Sequence, residues 1–477
     1  MSDTLAPSAA TGPVVRPTPG AAIIASIVLV ELASGVTQGF LSPLLGRLSE
    51  TLGITAAQLN WLSIANLLAS IAFTPVLSRM GDLYGHRRIL RWNLAIVLSG
   101  SILVGLSSSF GVLLVGQVLQ GAFAGFFPLL VGILRNRGTG ESSRGISFMI
   151  AALVGGLGVG LVASGLVAEF VDNPTAALWV PFAAVGVAMA ASWPLLPADG
   201  PRGAGRVDWL GGALLSVGLI AVMLALGLGG LPGWEWTSAR TIGTLVTGVA
   251  VIAGWVFVEL RTGDPMIDVR LFASRSVAVV SLVTLTFSFC LIGMQVANPM
   301  FLGTAAEMTG YGMGLGPLHI AFAMMPSMGA IAAGALTAPI VAARIGDRLI
   351  LVAGSTLMAA GYLGMLVLHG SLTGFLLATV VAGIGGGFQQ HSTRTLAVEY
   401  VPVHEAAVGS GINELLINVG GSLGAACVLA VFAAATSAGE RLPTVDAYTT
   451  SWAIAVGVSL LGAAVALLLR RRTRTSA

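Results

Sequence analysis

Residues Gly81 to Leu90 read GDLYGHRRIL, and their first eight positions hold one carboxylate, one histidine and two arginines. Thr51 to Ser78 before them contains no charged residue, and neither does Trp92 to Leu134 after them. A bilayer-spanning helix needs roughly 20 predominantly apolar residues. Two such runs meeting at a knot of charge therefore read as membrane helices joined by a short polar connection.

The whole chain repeats that contrast. Of its 477 residues 56% are hydrophobic and only 9% charged, and the mean hydropathy is +0.92. Soluble domains carry about 25% charged residues, so this composition describes an integral membrane protein. Cys290 and Cys427 both fall inside apolar runs, which argues against a disulfide scaffold or a cysteine-ligated metal. Residues 1–19 are rich in Pro, Ala and Thr and read as an uncleaved cytoplasmic tail. The apolar segment that follows is too long for a signal-peptide core.

Runs with little or no charge predict fourteen helices. The first seven span 20–45, 57–79, 92–108, 111–134, 145–169, 177–197 and 209–230. The second seven span 240–260, 276–303, 315–343, 349–368, 372–394, 405–434 and 448–469. Turn residues at 107–111 and 369–373 divide the two longest runs into hairpins.

The 23 cations, all arginine, give an independent check on that count. With the N-terminus inside, only Arg47, Arg240 and Arg441 face out, which leaves 23 − 3 = 20 on the cytoplasmic side. That asymmetry is the positive-inside pattern, and one helix too many or too few would scramble it. Arg394 counts here as a topology residue at the end of the twelfth helix. The net charge of +3 and the pI near 9.2 thus follow from topology, and no nucleic-acid partner is expected.

An internal repeat points to two related halves. Arg79-Met-Gly81-Asp82 after the second helix is echoed by Arg344-Ile-Gly346-Asp347 after the tenth, and Pro75 and Pro339 precede the two copies. Similar bundles with a cavity between them are the architecture of many secondary transporters.

The stretch Ser78 to Arg88 resembles the loop between helices two and three of the major facilitator superfamily, G-x-L-x-D-x-x-G-R-R. Asp82, Gly85 and Arg87 match, whereas Ser78 and His86 depart from the pattern. Val207-Asp-Trp-Leu-Gly-Gly212, Asp264 to Phe272 and the count of fourteen are similar to the superfamily's drug:proton antiporter branch. The resemblance implies an all-α membrane protein. It has six-helix bundles at 20–197 and 276–470, a central helix pair within 198–275, and a basic cytoplasmic tail at 471–477. It also implies a gating role for Asp82, Gly85 and Arg87, and by the repeat for Arg344 and Asp347. Three branch markers are missing, since Gln117 and Ile417 stand where arginines are usual and Leu161 replaces a proline.

Charge nevertheless remains at mid-membrane depth. Glu31 and Glu414 lie near the centres of the first and thirteenth helices, where an ionisable group costs roughly 2.5 to 3.5 kcal/mol and marks a functional site by default. A carboxyl there can exchange a proton or attract a cation. His391 is a further candidate for that coupling. Helical spacing groups Glu31 with Gln38, Gln117 with Gln120, Gln295 with Asn298, and Glu414 with Asn418. With Asn66 and Gln390 these amides form the expected substrate cavity, although amides in membrane helices also serve as interhelical hydrogen-bond glue.

The expected protein is a proton-coupled exporter of amphipathic or hydrophobic small molecules, a multidrug-efflux antiporter working as a monomer by alternating access in the cytoplasmic membrane. The alternatives are a facilitator or symporter without antiport, or a non-transporting sensor or scaffold. No enzyme motif, cofactor or metal site is visible. The expected partners are lipid, protons and a small-molecule substrate.

Overall fold

The computed structural model describes residues 20–41, 44, 53–135, 139–170, 174–196, 199, 205–230, 233–305, 309–402, 405–435 and 443–469. The tails expected at 1–19 and 471–477 lie outside these residues. Fourteen helices are long and apolar enough to cross a membrane.

The first half holds six. They are α1 (Gly20–Gly39), α2 (Ala56–Tyr84), α3 (His86–Gly105), α4, α5 (Thr139–Phe170) and α6 (Val180–Leu195). Helix α4 is interrupted, with α-helical Phe110–Gln120 and Phe126–Arg135 joined by a 3-10 turn at Gly121–Gly125. The central pair is α7 (Trp209–Leu228) and α8 (Ala239–Glu259). The second half holds α9 (Arg275–Gly303), α10 (Pro317–Ile345), α11 (Asp347–Leu368), α12 (Leu372–Glu399), α13 (Ala406–Ala434) and α14 (Val445–Ala466).

All fourteen expected helices are present, and the main differences lie at the charged ends. The second helix does not stop at residue 79. It continues to Tyr84, and α3 begins at His86, so Gly85 alone separates them. Gly85 has φ +105°, and its counterpart Gly346 between α10 and α11 has φ +85°. Only glycine enters that region freely, so each turn is made by one residue. The charged knot thus rides on two helix ends, and no polar loop is needed. Helix α1 ends at Gly39 instead of residue 45.

The break glycines also correct the register of the repeat. Gly81 and Gly346 align in sequence, yet Gly85 is the structural equivalent of Gly346. Asp82 therefore sits in the last turn of α2, whereas Asp347 opens α11.

Packing confirms the six-helix repeat. Helix α1 packs on α5 and α6, as α9 packs on α13 and α14. The α3–α4 and α3–α6 contacts recur as α11–α12 and α11–α14. Without a hydrophobic drive between helices in lipid, close backbone approach supplies the attraction. A Cβ added at Gly156 of α5 would come within 2.1 Å of the Leu32 carbonyl oxygen, and one at Gly424 of α13 within 2.0 Å of the Phe289 oxygen. The two halves meet through α2 on α13, α4 on α13, α5 on α10 and α5 on α12, and α7 of the central pair lies on α2 and α13.

Candidate functional site

The expected site residues divide into a charged cluster, an inter-half latch and helix-packing groups. The cluster is built on α12 and α13. Arg394, five residues before the end of α12, donates from Nε to Glu414 Oε1 at 2.7 Å and from Nη2 to Glu414 Oε2 at 3.3 Å. Its Nη1 donates to Gln390 Oε1 at 2.9 Å. This is the two-pronged geometry that suits a guanidinium to a carboxylate. The guanidinium also lies 4.7 Å from the ring centroid of Phe127, which α4 contributes from the other half.

Glu31 of α1 is 1% exposed, and its Oε1 is buried without a hydrogen-bond partner. The structure pairs Glu414 with a cation that the sequence assigns to membrane orientation. That assignment is corrected here, since Arg394 is 3% exposed and paired. A signal was available: Gln390, His391 and Arg394 share a helical face, and a carboxylate inside a membrane calls for a cation.

His391 faces α5. Its Nδ1 lies 3.0 Å from Ser147 Oγ, and its Nε2 lies 3.4 Å from Ser143 Oγ and from Thr395 Oγ1. It therefore belongs to the junction between halves, one turn from the Arg394 cluster.

Asp82 makes the other junction. Its Oδ1 accepts from the Ala407 amide at 3.2 Å, and its Oδ2 from the Val408 amide at 2.9 Å. Those amides open α13, where unsatisfied N–H groups and the positive end of the helix dipole favour an anion. His86 Nε2 lies 2.8 Å from the same Oδ1. Gly85 has a second reason to be glycine, because an added Cβ would lie 2.3 Å from Asp199 Oδ2. Asp199 Oδ1 in turn accepts from the Arg87 backbone amide at 2.7 Å. Arg87 thus meets Asp199 through its backbone, and its Nε is buried without a hydrogen-bond partner. Arg344 is exposed and Asp347 half-buried, and among the described residues neither forms an ion pair.

Four of the expected cavity amides are closed into helix packing. Asn66 donates to the Gln117 carbonyl at 2.9 Å, Gln117 to Gln120 at 3.1 Å, and Gln120 to Ser101 at 3.0 Å, a chain that ties α2, α4 and α3. Asn298 accepts from Trp452 Nε1 at 3.1 Å, joining α9 to α14. Sequence spacing places an amide on a face but does not say which neighbour satisfies it. Gln38 bonds within its own helix to Ser34, Gln295 is exposed and Asn418 half-buried.

Among the described residues, every hydrogen bond between the two halves lies near the arginine-rich end, at Asp82 or His391. The two halves are thus joined by hydrogen bonds at that end.

The family model described as Major Facilitator Superfamily matches residues 27–425 and 283–477. The chain is 28% identical to a puromycin resistance protein of Streptomyces alboniger, over 97% of this chain and 93% of that one. It is 27% identical to a tetracenomycin C resistance and export protein of Streptomyces glaucescens, over 85% and 74% of the two chains. A cephamycin export protein of Amycolatopsis lactamdurans is 27% identical over 87% and 85%. Among solved structures, the human organic anion transporter TETRAN superposes with a TM-score of 0.69 at 15% identity, covering 94% of this chain and 100% of that one.

Proposed function

The chain belongs to the Major Facilitator Superfamily, a family of membrane transporters and not of enzymes, and from that premise we propose that it exports amphipathic or hydrophobic small molecules in exchange for protons. The observation that carries this reading is Glu31, a buried carboxyl in the middle of a membrane-spanning helix with an oxygen left without a partner. A buried charge without a partner is costly, so a site of this kind is built to bind something, and a proton or a cationic substrate is what a carboxyl binds. The resistance and export named for similar proteins fit an outward direction.

Alternating access follows from the same geometry. Bonds from Asp82 and His391 close the arginine-rich end, and their release would open the cavity there. By the positive-inside bias this end is cytoplasmic, with both termini on that side. The domain limits 20–197, 198–275 and 276–470 fit the repeated packing of six helices on each side of the central pair. Gln38, Gln295 and Asn418 remain the amides available to a substrate. Gln117, Leu161 and Ile417 support the alternative, a facilitator or symporter without antiport.

The experiment is transport in proteoliposomes with an imposed pH gradient, using ethidium and puromycin as probes. Proton-coupled export predicts accumulation against the probe gradient that collapses with a proton ionophore. Equilibration without accumulation would favour the facilitator.

A further inference from the structure

Asn413 stands seven residues after the start of α13 and is 1% exposed. Its Oδ1 accepts from Thr284 Oγ1 of α9 at 2.9 Å, whereas its Nδ2 is buried without a hydrogen-bond partner. A buried donor without an acceptor is costly. This amide is therefore held where a ligand can satisfy it.

The same side chain lines a cavity at the arginine-rich end of the second half. The walls come from the first turns of α9 and α13, the end of α12, and the 3-10 turn Val269–Ala273 that leads from the central pair into α9. Its volume is about 380 Å³, counting the part open to the surroundings, which falls within the range of roughly 300 to 1,000 Å³ typical of ligand pockets. Leu271 and Phe272 of the turn and Val280 of α9 make its lining predominantly apolar, and Ser281 is half-buried among them. No lining residue comes from the first half, so this cavity is not the space between the halves.

Cations flank the lining. Arg270 precedes Leu271, and Arg275 opens α9 two residues before Val277, which also lines the cavity. Both arginines are exposed. Arg270 Nη2 donates to the Leu260 carbonyl at 3.0 Å, and among the described residues Arg275 forms no ion pair. By the positive-inside bias these helix ends meet the cytoplasmic leaflet. A phospholipid there carries an acyl chain, an ester carbonyl and a phosphate, and the cavity offers each a partner of matching chemistry. Basic pockets on that side of a membrane protein suit anionic head groups.

We propose that this cavity binds one anionic phospholipid of the cytoplasmic leaflet, with an acyl chain against Leu271, Phe272 and Val280, an ester carbonyl on Asn413 Nδ2 and the phosphate beside Arg275. The lipid would tie the turn that follows the central pair to α9 and α13 of the second half. The site uses neither Glu31 nor Asp82, so the proposal stands apart from the proton-coupled reading above.

Ser281→Cys follows occupancy in a background without Cys290 and Cys427. The protein is placed in nanodiscs in which palmitoyl-oleoyl phosphatidylglycerol replaces the matching phosphatidylcholine step by step. The rate of reaction with N-ethylmaleimide is divided by that of Gly263→Cys in the same discs, an exposed position that corrects for the change in surface charge. Occupancy predicts that this ratio falls several-fold as the phosphatidylglycerol fraction rises. Arg275→Gln is expected to move the midpoint up roughly fivefold, the loss of one attraction between a cation and a head group. Asn413→Leu is expected to move it up roughly two- to tenfold, the loss of one hydrogen bond. Should Asn413→Leu not fold, the exposed Arg275→Gln decides alone. A ratio independent of phosphatidylglycerol, or a midpoint that either variant leaves unmoved, would overturn the proposal. Equal protection by phosphatidylcholine would overturn it as well, since the site would then take any acyl chain.

Discussion

Asp82 and Val408 stand 326 positions apart in the chain and are joined by a 2.9 Å hydrogen bond from the Val408 amide to Asp82 Oδ2. The last turn of a helix in the first half is thereby tied to the first turn of a helix in the second. The tie uses a charge at a helix N-terminus, an interaction of about 0.3 to 1 kcal/mol and up to about 2 kcal/mol when partly buried. A contact of that size can hold two helix ends together and still be broken reversibly.

Asp82→Asn keeps an acceptor oxygen and the side-chain size but removes the charge. The closed state is expected to lose about 0.3 to 2 kcal/mol, and transport to fall while expression and probe binding survive. Ser78 is the reporter position, since an added Cβ at Gly411 of α13 would come within 2.4 Å of its Oγ. In a background without Cys290 and Cys427, labelling of Ser78→Cys from the arginine-rich side is expected to be faster in the Asp82→Asn variant by somewhat under twofold to about thirtyfold. An unchanged labelling rate would show that this carboxylate does not hold the halves together.

The two break glycines separate backbone strain from crowding. Alanine at either position costs about 1 to 3 kcal/mol for a positive-φ, extended-ψ backbone that is essentially restricted to glycine. At Gly85 it also meets Asp199 Oδ2 at 2.3 Å, whereas at Gly346 no atom lies within 4 Å of the added carbon. Thermal unfolding in detergent is expected to show a clearly larger loss for Gly85→Ala than for Gly346→Ala. Equal losses would mean that the Asp199 contact yields without cost.

The fourteen helices were legible because each is a long apolar run, and the halves because their arginines and glycines recur. The one-residue length of the turns at Gly85 and Gly346 was not, because charged residues look like loop to a hydropathy count even when they sit on helix ends. Arg394 was hidden for a related reason, since an arginine near a helix end satisfies the positive-inside pattern whether or not it is buried. Asn66, Gln117, Gln120 and Asn298 could be placed on polar faces, but only the positions of α3 and α14 reveal that Ser101 and Trp452 are their packing partners.

Orientation can be checked at two exposed positions. Ser108 lies between α3 and α4, and Gly263 follows α8. In the same background without Cys290 and Cys427, Ser108→Cys in intact cells is expected to react with a membrane-impermeant thiol reagent, and Gly263→Cys only after permeabilisation. The reverse pattern would place the arginine-rich end outside and turn the transport direction around.

The central claim is that Glu31 exchanges the coupling proton. Glu31→Gln preserves shape and hydrogen bonding but cannot titrate, so the variant isolates protonation from packing. The measurement is ethidium or puromycin flux in proteoliposomes, with and without a pH gradient, for wild-type and Glu31→Gln protein. Accumulation driven by the gradient is expected to vanish in the variant while downhill exchange of the probe continues. Full gradient-driven accumulation by Glu31→Gln protein would contradict the account and leave Glu31 a structural residue.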